Sequence, residues 1–240
     1  MKVLSIGNSF SQDAHHYLHE LAKHNGDFLK TVNLYIGGCS LRTHYINMLE
    51  NKPAYLFEYN GQNTNLYVSI KQALISDEWD YVTLQQVSSK SAFFDTYSPY
   101  IEALSEYIKK YSPNSKILIH QTWAYEDGSN RLNVELGYKN HIDMFNDIKL
   151  SYEKAAKDIN ADFIIPSGEL FLSLLASGVE KIHRDTYHAS LGLGRYSLGL
   201  LWYAAITKND VKDNNFSDFD EEISDLQIKI AKKCVGEVCK

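Results

Sequence analysis

Lys2-Val3-Leu4-Ser5-Ile6-Gly7-Asn8-Ser9-Phe10-Ser11 passes from an apolar run to a glycine and then to a polar cluster. The first five residues read as a short strand, and Gly7 breaks it. From Gln12 to Lys23, apolar side chains return at helical spacing through Ala14, Leu18, Leu21 and Ala22. Strand, tight turn and helix thus occupy the first 24 residues, and Ser9 stands where the helix begins. Exposed N–H groups and the positive end of the helix dipole favour negative charge there. A serine at such a turn also serves as an ordinary N-cap, so the turn alone does not assign chemistry.

The same alternation continues along the chain. Strands are expected at 2–6, 32–36, 80–85, 116–121 and 162–165, with helices at 12–24, 69–76, 99–110, 141–159, 168–177, 190–207 and 218–233. Lys116-Ile117-Leu118-Ile119-His120 and Asp162-Phe163-Ile164-Ile165 are apolar runs suited to strands covered on both faces. The expected fold is α/β, a doubly wound, flavodoxin-like three-layer sandwich around a mostly parallel five-stranded sheet, in one domain spanning 1–240. In such sheets reactive groups gather beyond the carboxyl ends of the strands, where Ser9, Gly38 and Gln86 all fall.

Near the other end, Asp185-Thr186-Tyr187-His188 places a carboxylate three residues before an imidazole. A tight turn turns both side chains into one cleft, where the aspartate fixes the tautomer whose other nitrogen faces a serine. With the Gly7-Asn8-Ser9 turn, this pair resembles the SGNH (GDSL-type) hydrolase superfamily, over nearly the whole chain. The resemblance implies Ser9 as nucleophile, His188 as general base and Asp185 as its partner, with no cofactor. It also implies an oxyanion-hole glycine after the second strand, Gly38 or else Gly37. Asn8 stands where the family's aspartate is usual. The expected Gly-x-Asn-Asp block after the third strand is missing, and Trp79-Asp80-Tyr81-Val82-Thr83-Leu84 runs instead into Gln85-Gln86-Val87-Ser88. A glutamine amide can donate the same bond from a longer arm, so Gln86, or Gln85, is the expected replacement.

The loops after the strands carry aromatic and polar side chains together: Phe93, Phe94 and Tyr97 in one, Trp123, Tyr125, Asp127, Arg131 and Tyr138 in another. Aromatic faces beside polar groups suit a sugar ring. Asn8, His44, Gln85, Trp123, Tyr125 and Tyr187 are candidate substrate contacts. The expected reaction is hydrolysis of a small acyl ester, an acetyl group on a carbohydrate. The alternatives are an idle carbohydrate-binding relative, or a thioesterase or lysophospholipase. A small-molecule or glycan ester is the expected partner.

Composition excludes several classes. The chain has 240 residues, 44% hydrophobic and 22% charged, with a formal net charge of −6 and no basic stripe, which argues against nucleic acid or an anionic membrane as partner. No apolar run approaches the roughly 20 residues that span a bilayer. The chain enters its first strand without a signal-peptide pattern, so a cytoplasmic protein is expected, the alternative being a secreted one whose leader preceded Met1. Three cysteines give no disulfide framework. His15 and His19 are four apart and could share one face of a helix, with His16 adjacent, whereas His19 and His24 are five apart and miss the zinc-protease spacing; solvent-facing histidines explain the cluster more simply, and no metal is expected.

Overall fold

The computed structural model describes residues 1–239. Its sheet holds β1 (Lys2–Gly7), β2 (Lys30–Tyr35), β3 (Tyr55–Tyr59), β4 (Gln62–Val68), β5 (Tyr81–Leu84), β6 (Lys116–His120) and β7 (Phe163–Ile165), in the order β4-β3-β2-β1-β5-β6-β7. The stretch β2-β1-β5-β6-β7 is parallel throughout and contains the five strands expected from sequence. In β1, Val3, Leu4, Ser5 and Ile6 are all fully buried, as a central strand covered on both faces requires.

The helices are α1 (Ser9–His15), α2 (Leu18–His24), α3 (Leu41–Leu49), α4 (Ile70–Leu74), α5 (Tyr100–Tyr111), α6 (His141–Ile159), α7 (Ser167–Ala176), α8 (Leu193–Thr207) and α9 (Asp225–Val238). Helix α8 packs on α1, α2, α7 and α9, while α5 packs on α3, α4 and α6, which gives the three layers. Almost every residue of α8 is buried, and its Gly199 admits the Leu21 side chain so closely that a Cβ would lie 2.5 Å from it. None of the described helices is long and apolar enough to cross a membrane.

The structure departs from the sequence reading in several places. The sheet has seven strands rather than five, because β3 and β4 form an antiparallel hairpin added to the β2 edge. Its turn is Asn60-Gly61, with φ of 50° and 79°, the left-handed pair that suits a two-residue hairpin loop. That Asn-Gly signal was legible, but the polar sequence of β4 hid the strand around it. The second departure is α3, capped by Ser40, whose hydroxyl accepts from the Thr43 N–H. The helix expected over 12–24 is also broken at His16-Tyr17, and the last helix starts at Asp225 rather than 218.

Buried polar groups occur between the layers. Thr83 donates to the Ser5 hydroxyl at 2.8 Å, and that hydroxyl lies 2.7 Å from His15 Nε2. His15 and His120 both pack edge-on against Trp202, at 4.9 and 4.8 Å between ring centres. Burial lowers the pKa of His15, His44 and His120 to about 3, with His15 adding to the effect at His120. These imidazoles are neutral in the folded chain, whereas the unfolded chain takes up protons below about 6.5. Stability is therefore complete above that pH and declines as pH falls towards 3. At pH 5 each site is expected to cost roughly 2 kcal/mol. Urea unfolding followed by tryptophan fluorescence should show this decline between pH 7 and 5; a constant unfolding free energy would contradict it.

Candidate active site

The parallel strands end at one edge, and three loops meet there. Asn8 follows β1, caps α1, and accepts the Phe10 N–H on its side-chain oxygen at 3.0 Å. The Asn8 N–H donates to Ser11 Oγ, so Ser11 closes a capping box and lies buried, away from the cleft. Gly7 makes this turn possible, since a Cβ there would meet Ser11 Oγ at 2.0 Å. Ser9, the first residue of the helix, is left with its hydroxyl in the cleft and its N–H without an intrahelical acceptor.

The second loop, residues 183–189, is pinched by an isolated bridge between His183 and Ala189, and the Arg184 N–H donates to the His188 carbonyl at 3.0 Å. Thr186 turns the chain with φ of 75°. Within this loop the His188 N–H donates to Asp185 Oδ1 at 2.9 Å, and His188 Nδ1 lies 2.8 Å from Asp185 Oδ2. His188 Nε2 lies 2.7 Å from Ser9 Oγ. A carboxylate accepts only, so Nδ1 carries the proton and Nε2 is free to take one from the serine. Burial pushes the Asp185 carboxyl up, but the hydrogen bonds from His188 outweigh it and leave Asp185 below the usual carboxylate range. His183 is not part of this chain: burial lowers it to about 4, and its Nε2 pairs with the Ala124 carbonyl at 3.1 Å.

The third loop, Gly37-Gly38-Cys39 after β2, faces Ser9 across the cleft. Gly38 has φ of 64°, a conformation that favours glycine. The Asn8 amide donates to the Cys39 carbonyl at 3.0 Å, which ties this loop to the serine turn. Cys39 is buried, and its thiol is pushed up to about 12, which removes it as a nucleophile near neutral pH.

Four sequence-based site expectations require correction. The Gln86 amide does not face the cleft: it donates to Thr96, while its oxygen accepts the Leu41 and Val87 N–H groups. Gln85 is also committed, donating to Asn8 Oδ1 at 2.6 Å and accepting from His120 Nδ1 at 2.7 Å. Neither glutamine therefore replaces the missing asparagine as a direct donor; Gln85 orients Asn8 instead. His44 is fully buried, beside the Tyr55 hydroxyl at 2.9 Å. Trp123 is buried between Phe10 and Phe171, with its indole N–H donating to the Tyr187 carbonyl, so it supports the loop rather than touching a ligand.

The remaining expected residues do meet. Asn8, Ser9, Gly38, Tyr125, Tyr187 and His188 line one cavity of about 420 Å³. Arg131 and Ser88 also line it, the hydroxyl of Ser88 lying 2.9 Å from that of Tyr125. The sequence reading placed Arg131 in the loop but gave it no role, because nothing local shows where its side chain points. Among the described residues, no three histidine, cysteine or acidic side chains converge as metal ligands.

One interaction holds the two ends of the chain in register. Asp13, on α1 and fully buried, accepts from Arg184 at 2.9 and 3.0 Å and from Arg195 Nε at 2.9 Å. Arg195 also pairs with Asp220 at 2.9 Å. Removing the shared carboxylate leaves two partly buried guanidinium groups without it. Asp13→Asn is expected to lower stability by about 3 kcal/mol in urea titration. A loss under about 0.5 kcal/mol, the range of an ordinary surface change, would contradict this account.

The family model described as a domain of unknown function, DUF4886, matches residues 2–237. No curated protein matches the chain at a significant level. Among solved structures, a DUF4886 family protein from Bacteroides uniformis is 34% identical, with a TM-score of 0.92 over 99% of this chain and 94% of that one. A candidate SGNH hydrolase from Slackia heliotrinireducens is 24% identical, with a TM-score of 0.63 over 86% and 98% of the two chains. Axe2, an acetylxylan esterase from Geobacillus stearothermophilus, is 13% identical, with a TM-score of 0.53 over 86% and 92%. The last two share the fold, which is that of the SGNH hydrolases, and the family match together with the Bacteroides relative places the chain itself in the DUF4886 family.

Proposed function

We propose that this protein is a serine ester hydrolase that removes a small acyl group, an acetyl, from a hydroxyl of a carbohydrate. The observation that carries the reading is the unbroken chain from Asp185 through His188 to Ser9 Oγ, with links of 2.8 and 2.7 Å, opening on one cavity. Its lining mixes aromatic rings with hydroxyl and amide groups, and it is of a size for one sugar unit and a short acyl chain. The acetylxylan esterase among the proteins of the same fold adds support for the substrate class.

In this reading the ester carbonyl enters between Ser9 and Gly38. His188 Nε2 takes the serine proton as Oγ attacks, and Asp185 stabilises the imidazolium that forms. The developing oxyanion receives the N–H groups of Ser9 and Gly38, both main-chain donors. His188 then gives its proton to the departing alcohol. Water, deprotonated by the same nitrogen, attacks the acyl-enzyme and releases the acid while Ser9 regains its proton.

Ser9→Ala should leave the circular dichroism spectrum unchanged and lower turnover of p-nitrophenyl acetate by at least about 1000-fold. Asp185→Asn should lower kcat by about 100-fold or more with little change in KM, since it damages tautomer control rather than binding. Retained activity in either variant would sink the assignment.

Gly38→Ala should reduce kcat more than it raises KM, because φ of 64° disfavours a side chain and the donor shifts. Gln86→Ala should act mainly on stability, its partners being Thr96, Leu41 and Val87. A kcat loss of about 100-fold at an unchanged melting temperature would instead return Gln86 to the oxyanion hole.

A further inference from the structure

Among the described residues, Arg131 is the one permanently charged side chain on the wall of the cavity that holds Ser9 and His188. It stands in a chain with an excess of acidic groups, 30 against 24 basic. Three acidic side chains of the surrounding loops have partners of their own. Asp127 pairs with His141 at 2.7 Å, Asp185 with His188 at 2.8 Å, and Glu135 accepts from Asn130 at 3.4 Å. The guanidinium lies over the Tyr187 ring, 4.0 Å from its centre. Burial raises the Tyr125 hydroxyl, and the nearby Arg131 charge opposes that rise. Stacking occupies the face of a guanidinium and leaves its edge N–H groups available as a fork, the shape that matches a carboxylate.

The segment that presents Arg131 is well anchored. It opens a short π-helical turn, Arg131–Glu135, whose Leu132 is fully buried and whose Leu132 N–H donates to Ser129 Oγ at 3.2 Å. The Asn133 amide donates to the Tyr138 carbonyl at 2.8 Å. Position also indicates which half of an ester Arg131 would meet. Tyr187, which carries the guanidinium, packs against the His188 ring at 4.0 Å. His188 protonates the departing alcohol, so the alcohol half extends past His188 towards Tyr187 and Arg131, and the acyl half lies towards the Gly37-Gly38 loop.

We propose that Arg131 receives a carboxylate borne by the alcohol half of the ester, so that the substrate is an acylated acidic sugar rather than a neutral one. This rests on the esterase reading for the direction of the alcohol, while the anion subsite itself depends on the cavity alone.

The test compares a mono-O-acetylated methyl glucuronoside with the same compound as its uncharged carboxamide. Wild type should favour the acid by about ten- to hundred-fold in kcat/KM, with the preference shrinking as salt is added. Arg131→Gln should bring the ratio close to one, and Arg131→Lys should keep part of it, because an ammonium retains the charge but loses the fork. A wild-type ratio at or below one, or a ratio unmoved by Arg131→Gln, overturns the proposal. An NMR titration of the Ser9→Ala protein with the deacetylated glucuronoside and its carboxamide reads the subsite without turnover. Preferential binding of the acid, abolished when Arg131→Gln is added, supports the subsite even if no ester is cleaved, which would defeat the esterase reading alone. Ser9-dependent hydrolysis of p-nitrophenyl acetate with no preference for the acid in either assay leaves the esterase reading standing and defeats this one.

Discussion

The buried carboxylate of Asp13 is the constraint on which the arrangement turns. Ser9 and His188 are 179 residues apart, yet a proton can pass between them only across a hydrogen bond. Asp13 lies one helical turn after Ser9, and Arg184 immediately precedes Asp185. Pairing them seats the acid-bearing loop on the helix that begins at the serine. Arg195 contributes from α8, so the core helix is included in the same contact. The opposite flank of α1 is held by a second polar chain, in which Ser11 donates to Asn33, Asn33 donates to Glu58, and Gln12 also reaches Glu58. The edge hairpin therefore serves the site at a distance, by completing the bed on which α1 lies.

The altered third block has a physical explanation in the same terms. Asn8 stands where the GDSL-type pattern has an aspartate, and an amide can both accept and donate where a carboxylate only accepts. Its oxygen takes the Gln85 amide and its nitrogen holds the Cys39 carbonyl, so one side chain fixes the serine turn and the glycine loop together. Gln85 is set in turn by His120, whose Nε2 lies 3.1 Å from Ser167 Oγ at the start of α7. Gln85 is thus part of the support that holds the serine turn and the glycine loop.

Much of this was legible in the sequence because it depends on local periodicity. The five parallel strands follow from apolar runs, while Ser9, Asp185 and His188 were singled out by two short motifs taken together and by the resemblance those motifs carry. What escaped depends on pairings between distant segments. Nothing near Asp13 announces Arg184 and Arg195, and the two adjacent glutamines could be told apart only by what surrounds each, Thr96 and Leu41 for Gln86, Asn8 and His120 for Gln85. The hairpin was missed for a different reason. Its turn, Asn60-Gly61, was visible, but most of β4 lies exposed and its side chains carry no apolar alternation.

The glycine loop has a consequence for how such a site tolerates change. With Ser9 and Gly38 presenting peptide N–H groups, truncation of a neighbouring side chain leaves both donors in the molecule. In the proposed reading, sequence drift can therefore alter the rim while both donors to the oxyanion persist. The vulnerable positions are those where the backbone path itself depends on what is missing or small. Gly7 is one, with no room for a Cβ beside Ser11, and Gly38 with its left-handed φ is another. An alanine scan would thus underrate the proposed main-chain donors at most surrounding positions and register them chiefly where alanine is the larger residue.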